Sequence, residues 1–151
     1  MITAILAALI TVTTTIQPGP TASGPQVVFV CEHGAAKSLV ATAYFNKLAA
    51  ERGLKARATF RGVAPQDALS VSAVAGLKAD GLTIPDGRPT AVADSDVAHA
   101  THIFAIGCTL PKRATASGKS SSWDDVPDDQ GYGPMRDAIV RHVRAVLDTL
   151  R

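Results

Sequence analysis

The sequence predicts an α/β fold, a doubly wound parallel sheet flanked by helices, and three observations carry that reading. Two short apolar runs, Q-V-V-F-V-C (Gln26 to Cys31) and I-F-A-I-G (Ile103 to Gly107), are β-branched or aromatic and too short for helices, as expected of strands covered on both faces. Strand-like runs alternate with segments whose apolar residues recur at helical spacing. The helical segments stop at glycines, the first at Gly53 with Leu54 behind it, the pattern of a glycine C-cap, and the second at Gly81. Ligands of such sheets bind beyond the carboxyl ends of the strands. Cys31 and Cys108 each follow one of those ends.

Taken in order, the first strand runs from Gln26 to Cys31 and delivers the loop C-E-H-G-A-A-K-S, Cys31 to Ser38. Leu39, Val40, Ala43, Phe45 and Leu48 then mark the first helix, which ends at Gly53. Arg57 to Val63 reads as a second strand. Ser70 or Ser72 caps a helix in which Val71, Val74 and Leu77 share a face, and Pro85 to Pro89 is a loop. Asp94 to Ala100 reads as a short helix before the strand that ends on Cys108. Thr115 to Ser122 is read as a polar connection leading through Trp123 into an acidic loop, D-D-V-P-D-D-Q-G-Y-G. Pro134 is expected at the first position of the last helix, with Met135, Ile139, Val143, Val146 and Leu150 on one stripe.

A chain of 151 residues, 46% apolar and 19% charged, suffices to bury one core, and residues 26–151 are read as one domain. The net charge of +2 arises from interspersed acids and bases, so no surface for nucleic acid and no polybasic membrane patch is marked. The two cysteines form no C-x-x-C pair, and His99, His102 and His142 have no metal-ligand spacing, so no metal site is expected. Residues 1–25 carry no ionisable side chain and are read as a signal-like or disordered extension. Their apolar run is shorter than the ~20 residues of a membrane span. The chain is exported if this segment is a signal peptide, and cytoplasmic otherwise. Nothing in the pattern specifies an oligomeric state.

The loop after the first strand is where chemistry is expected. A strand that feeds a helix N-terminus gathers amide N–H groups without helical partners, and the helix dipole favours an anion there. Gly34, Ala35 and Ala36 are small enough to let the backbone curl round a tetrahedral oxyanion, and Lys37 adds a formal charge. Ser38 can donate to a thiolate, the nucleophilic form of Cys31. The bland alternative is a small buried cysteine at a strand end followed by an ordinary Gly-Ala turn.

The motifs V-F-V-C-E-H-G-A-A-K-S, F-R-G-V-A-P (Phe60 to Pro65), G-L-T-I-P (Gly81 to Pro85), I-F-A-I-G-C and W-D-D-V-P-D (Trp123 to Asp128) occur in the order of the low-molecular-weight protein tyrosine phosphatase family, including its arsenate reductase branch. Over Gln26 to Arg151 the chain resembles that family, whose nucleophile loop reads C-x5-R-S and, in one subgroup, C-V-H-N-A-G-R-S. Cys31, His33, Ala35 and Ser38 match that subgroup. The resemblance implies a four-stranded sheet, no cofactor, and a small oxyanion or phosphomonoester as partner. It implies that Cys31 attacks phosphorus, that the loop amides of Glu32 to Ser38 and Lys37 hold the oxygens, and that an aspartate of the acidic loop protonates the leaving group. Water then releases the phosphocysteine. In arsenate reductases the same cysteine attacks arsenic, and a second thiol, from the protein or outside it, resolves the adduct; Cys108 is the redox candidate here.

The sequence departs from the family at four places. Lys37 stands where the family has arginine, exchanging a rigid two-pronged donor for a flexible point charge. Loss of such a contact costs on the order of 3 kcal/mol in an oxyanion site, so a catalytically weak or inactive oxyanion-binding module is the third reading. Glu32 sets a carboxylate beside the anion pocket, which either needs a basic neighbour, His33 or an arginine, or selects a cationic or metal-bearing substrate. The acid is Asp128 by the V-P-D alignment or Asp125 just before V-P. Asp129 replaces the family's proline after the acid, and Tyr132 is the nearby aromatic residue.

Overall fold

The structure, a computed structural model, describes residues 24–150; the export-signal reading of the N-terminal segment falls almost wholly outside them. Among the described residues nine elements follow one another: β1 (Gln26–Cys31), α1 (Lys37–Glu51), β2 (Arg57–Gly62), α2 (Val71–Ala79), α3 (Asp94–His99), β3 (His102–Ile106), α4 (Lys112–Ala116), β4 (Ser120–Trp123) and α5 (Tyr132–Thr149). The four strands are all parallel in the order β2-β1-β3-β4. The chain reverses its direction of travel between β1 and β3, and the crevice for a ligand opens beyond their ends.

Side chains alternate across the sheet as strand geometry requires. Val27, Phe29 and Cys31 of β1 face α1, α2 and α5, together with Phe60, Phe104, Ile106 and Trp123. Val28 and Val30 face the other way, with Ile103, Ala105, Leu110 and Ala114. Phe29, fully buried, is ringed by Phe45, Phe104 and Trp123 at centroid distances of 5.8, 5.7 and 5.3 Å. Each large side chain so buried contributes about 1.5–3 kcal/mol. This packing fixes the sheet that carries the Cys31 loop.

Both glycine caps form in full. Gly53 N–H donates to the Ala50 carbonyl and Leu54 N–H to Ala49, and Gly81 and Leu82 repeat the pair on Lys78 and Leu77. The N-terminus of α2 is capped by Ser70, whose hydroxyl accepts from Ala73 N–H at 3.3 Å, while Ser72 bonds the Ser70 hydroxyl.

Three expectations need correction. The polar stretch Thr115 to Ser122 is not a plain connection: it holds the end of α4 and most of β4. A strand of S-S-S-W is an edge strand with one neighbour, and only Trp123 anchors it in the core, so it carries no apolar run to betray it. Pro134 is the third residue of α5, which begins at Tyr132 after Gly131; a proline without N–H is tolerated anywhere in a first turn. Val71 is 84% exposed, and Ala73 and Leu77 form the buried face of α2, because residue 71 is the first of the helix and looks past the core.

The outer edge of β2 is closed by two devices. Asn46, from α1, accepts from Ala58 N–H at 2.8 Å and donates to Ala58 C=O at 3.1 Å. Four residues on, Gly62 donates to Thr90 C=O at 2.8 Å and accepts from Val92 N–H at 3.2 Å. Asp96 of α3 ties the other face of β2 by accepting two bonds from Arg61, both 2.9 Å. Among the described residues no helix is long and apolar enough to cross a membrane.

Candidate active site

The loop from Glu32 to Ala36 leaves β1 and enters α1 with its carbonyls already bonded on the outside. Val63 N–H donates to Cys31 C=O (3.0 Å), Ala64 to Glu32 (2.8 Å), Gln66 to His33 (3.3 Å) and Ser70 to Ala35 (3.0 Å). Peptide units held by their carbonyls turn their N–H groups to the opposite side. Among the described residues no carbonyl accepts from the amides of His33 to Leu39. Close approach of the loop to β2 depends on two glycines: at Gly34, φ +61°, an added Cβ would lie 2.7 Å from Gly62 N. The result is a ring of free donors at the positive end of a 15-residue helix.

Cys31 sits under that ring, 3% exposed, and its sulfur shares a 3.1 Å hydrogen bond with the fully buried Ser38 hydroxyl. Lys37, the first residue of α1, is buried, and its Nζ bonds Asp128 Oδ1 at 2.5 Å. A Cβ at Gly107, just past β3, would fall 2.6 Å from Nζ, so the absence of a side chain there makes room for the ammonium. Asp128 arrives from the loop after β4, its side chain 75% exposed.

A cleft of about 680 Å³ joins these groups. Of the residues singled out in the sequence, Cys31, Glu32, His33, Ala35, Ala36, Lys37 and Asp128 line it, and Tyr132 closes one side. Gly34 and Ser38 lie buried behind its wall. His33 Nδ1 bonds Ala64 C=O at 3.3 Å. The cleft also takes in Gln66, Ser70, Ser72, Gly107 and Met135, which the sequence reading had not placed there. Gly107, following a strand that ends at the same crevice, was the one with a legible signal.

Asp125 is elsewhere. It bonds His142 Nε2 at 2.5 Å and Arg141 at 2.9 Å on the outside of α5, and these bonds, the first from His142, hold its carboxyl below the ordinary range. Cys108 is half-buried in a separate hollow with Leu110, Ser122 and Asp124, its sulfur 3.5 Å from Val30 C=O. Burial pushes that thiol up to about 11. Clefts of about 600 and 630 Å³ lie along the β2 edge and between α1 and α5, and neither is lined by a cysteine or histidine. Among the described residues no group of three or more His, Cys, Asp or Glu side chains is disposed to hold a metal ion.

A family model described as low molecular weight phosphotyrosine protein phosphatase matches residues 26–119. No curated protein matches the sequence. Among solved structures, the fold is similar to a thioredoxin-dependent arsenate reductase of Corynebacterium glutamicum, with 21% identity and a TM-score of 0.70, covering 86% of this chain and 64% of that one. It is similar also to a low molecular weight phosphotyrosine phosphatase of Vibrio cholerae (15%, TM-score 0.69, 83% and 96% covered). A third is the YwlE arginine phosphatase of Geobacillus stearothermophilus (19%, TM-score 0.66, 83% and 92%). This chain thus spans less than two thirds of the Corynebacterium protein's length. At such identities the likeness is one of fold.

Proposed function

Because the chain belongs to the low-molecular-weight phosphotyrosine protein phosphatase family, we propose that it is a cysteine-dependent phosphatase acting on a phosphomonoester. One observation carries the reading: the Cys31 sulfur lies beneath a ring of unpartnered amides at the start of α1, in one cleft with Lys37 and Asp128. The Cys31 thiolate attacks phosphorus in line as the bond to the leaving oxygen breaks. The loop amides and Lys37 hold the three equatorial oxygens, where charge stabilisation is worth most. Asp128, protonated, gives its proton to the leaving oxygen. Water then attacks the phosphocysteine, Asp128 takes a proton back, and inorganic phosphate leaves with the thiolate restored. Ser38 supports the sulfur at the stage when it departs as an anion. No metal or organic cofactor is required by these steps.

Lys37 and Asp128 must part for this to happen, since the ammonium that grips the oxyanion is the one now bonded to the acid. Asp125, committed to His142 and Arg141, is the poorer candidate for proton donor. The expected test is Cys31→Ser: hydrolysis of an aryl phosphate disappears while binding of inorganic phosphate persists. Wild-type protein that binds phosphate without any turnover would reject the phosphatase and leave the oxyanion-binding module.

The second reading is arsenate reduction through Cys31. Cys108 lies outside the cleft and burial keeps it a thiol, so the resolving thiol on this reading is an external one. Arsenate-dependent oxidation of a small thiol, lost in Cys31→Ser, would support it over the first.

A further inference from the structure

The anion cleft carries more negative charge than positive. Its walls hold two carboxylates, Glu32 and Asp128, and one ammonium, that of Lys37, which is bonded to Asp128. Glu32 directly follows the nucleophile and is exposed, so its charge stands at the rim of the cleft. Two accounts of such a carboxylate are open: a basic neighbour neutralises it, or the substrate does. The structure removes the first. Among the described residues no lysine, arginine or histidine forms an ion pair with Glu32. His33 is next in the chain, but its Nδ1 bonds Ala64 C=O at 3.3 Å. Arg61, whose backbone runs within 3.0 Å of a Cβ added at Gly34, gives its guanidinium to Asp96 in two bonds of 2.9 Å. Arg136, 5.7 Å from the Tyr132 ring centroid, is bonded to Asp137 and, at 3.1 Å, to both oxygens of Asp80. Asp80 accepts also from the hydroxyls of Tyr44 and Tyr132, at 2.7 and 2.8 Å. Nor does the reaction free a cation for Glu32: the Lys37 ammonium passes from Asp128 to the equatorial oxygens, and Glu32 is left facing a dianion. Like charges set side by side reject a ligand, and a positive charge on the ligand reverses the effect.

We infer that Glu32 is a specificity-determining residue: it disfavours plain phosphomonoesters and favours a small one that carries an ammonium group on a short arm beside the phosphoryl group. The inference rests on the proposed phosphoryl site and names a class of substrate for it. A cleft of about 680 Å³ has room for a small molecule of that kind. The ammonium takes no part in making or breaking bonds. Its place is at Glu32, while Asp128 protonates the leaving oxygen.

The test compares two non-hydrolysable ligands of nearly the same shape, 2-aminoethylphosphonate and propylphosphonate, the first with an ammonium where the second has a methyl group. Each is scored by its protection of Cys31 from iodoacetamide, on wild type, Glu32→Gln and Glu51→Gln, and the quantity read is the ratio of the two dissociation constants. Comparing that ratio between proteins cancels whatever the ligands' own acidities contribute. In wild type the ratio should lie about five-fold further toward the ammonium compound than in Glu32→Gln, the upper scale of an exposed ion pair. Glu32→Gln should also bind inorganic phosphate about three-fold more tightly, because a repulsion is gone. Glu51→Gln removes an exposed carboxylate of α1 that lies outside the cleft, and its ratio should match wild type. Salt at about 0.5 M should draw the wild-type ratio toward that of Glu32→Gln. Equal ratios in wild type and Glu32→Gln overturn the inference, as does a shift of the same size in Glu51→Gln, which would mean net charge alone. Should Glu32→Gln fail to fold, a wild-type ratio indifferent to salt overturns it. Magnesium that strengthens phosphate protection in wild type alone, with the ratio unmoved, would overturn it in favour of a metal-bearing substrate. Failure of phosphate itself to protect Cys31 in wild type sinks the phosphoryl site, and is recognised separately.

Discussion

Replacing Asp128 with asparagine should tighten phosphate binding while slowing turnover, and the opposed directions make the test sharp. In the wild type an oxyanion can recruit the Lys37 ammonium only by releasing Asp128, so the free energy of that ion pair is subtracted from anion binding. At 2.5 Å, Coulomb's law with an effective dielectric constant of about 20 gives ~7 kcal/mol of gross attraction. Most of that is cancelled, because the Asp128 side chain is 75% exposed and regains its hydration when it swings away. Exposed pairs are worth about 0.2–1 kcal/mol and charge-assisted hydrogen bonds about 1.5–3 kcal/mol. With Lys37 at 9% side-chain exposure, the pair sits between these classes, at about 1 kcal/mol. Asp128→Asn should then bind phosphate about five-fold more tightly, read as protection of Cys31 from alkylation. The same variant lacks the proton donor, and aryl phosphate turnover should fall by about a hundredfold or more. Raised ionic strength should narrow the affinity gap. Phosphate binding that is unchanged or weaker in Asp128→Asn would refute the idea that the acid occupies the cation's place.

Two further outcomes follow from groups outside the cleft. Hydrogen bonds from Tyr44 and then Tyr132 hold the Asp80 carboxyl below its ordinary value. A carboxyl depressed in the folded state contributes stability that is present above its unfolded value, about 4, and is lost as pH falls through the folded one. The urea midpoint should therefore hold from neutral pH to about pH 5 and decline below about pH 4, and Asp80→Asn should be less stable at neutral pH with a shallower acid decline; an identical acid limb would contradict this. Burial raises the Cys108 thiol to about 11, so at pH 8 it should react with iodoacetamide about a hundredfold more slowly than an unhindered cysteine. Peptide mapping of partly labelled native protein measures this, and ordinary labelling of Cys108 would count against it.

Much of the fold was legible because β1 and β3 are central strands, buried on both faces, and such strands must be written in apolar residues. The amide loop was legible for a related reason: Gly34 to Ala36 are small where the backbone has to turn tightly against Gly62. β4 was not, since an edge strand satisfies its backbone on one neighbour and can be spelled S-S-S-W. The acidic loop shows the limit of spacing as evidence. Asp125 and Asp128 flank the same V-P pair, yet Val126 is buried and the turn sends one carboxylate to α5 and the other into the cleft, a difference made by tertiary packing alone. The Lys37–Asp128 contact was likewise invisible, because its partners are 91 residues apart and meet only through the sheet. Asp80 carried no motif either; a C-cap position gives no hint that two tyrosines and an arginine will converge on it.

The Asn46 side chain reaches from α1 to the outer edge of β2. Its amide offers one donor and one acceptor in the arrangement of a peptide group, so α1 in effect lends the sheet a one-residue fifth strand beside Ala58. With Gly62 taken by Thr90 and Val92, this flank has little left with which to template another chain, and lateral growth of the sheet is confined to the short serine-rich margin at β4. The helix that presents the amide ring at one end therefore also covers a sheet margin along its length, so one element answers two structural demands.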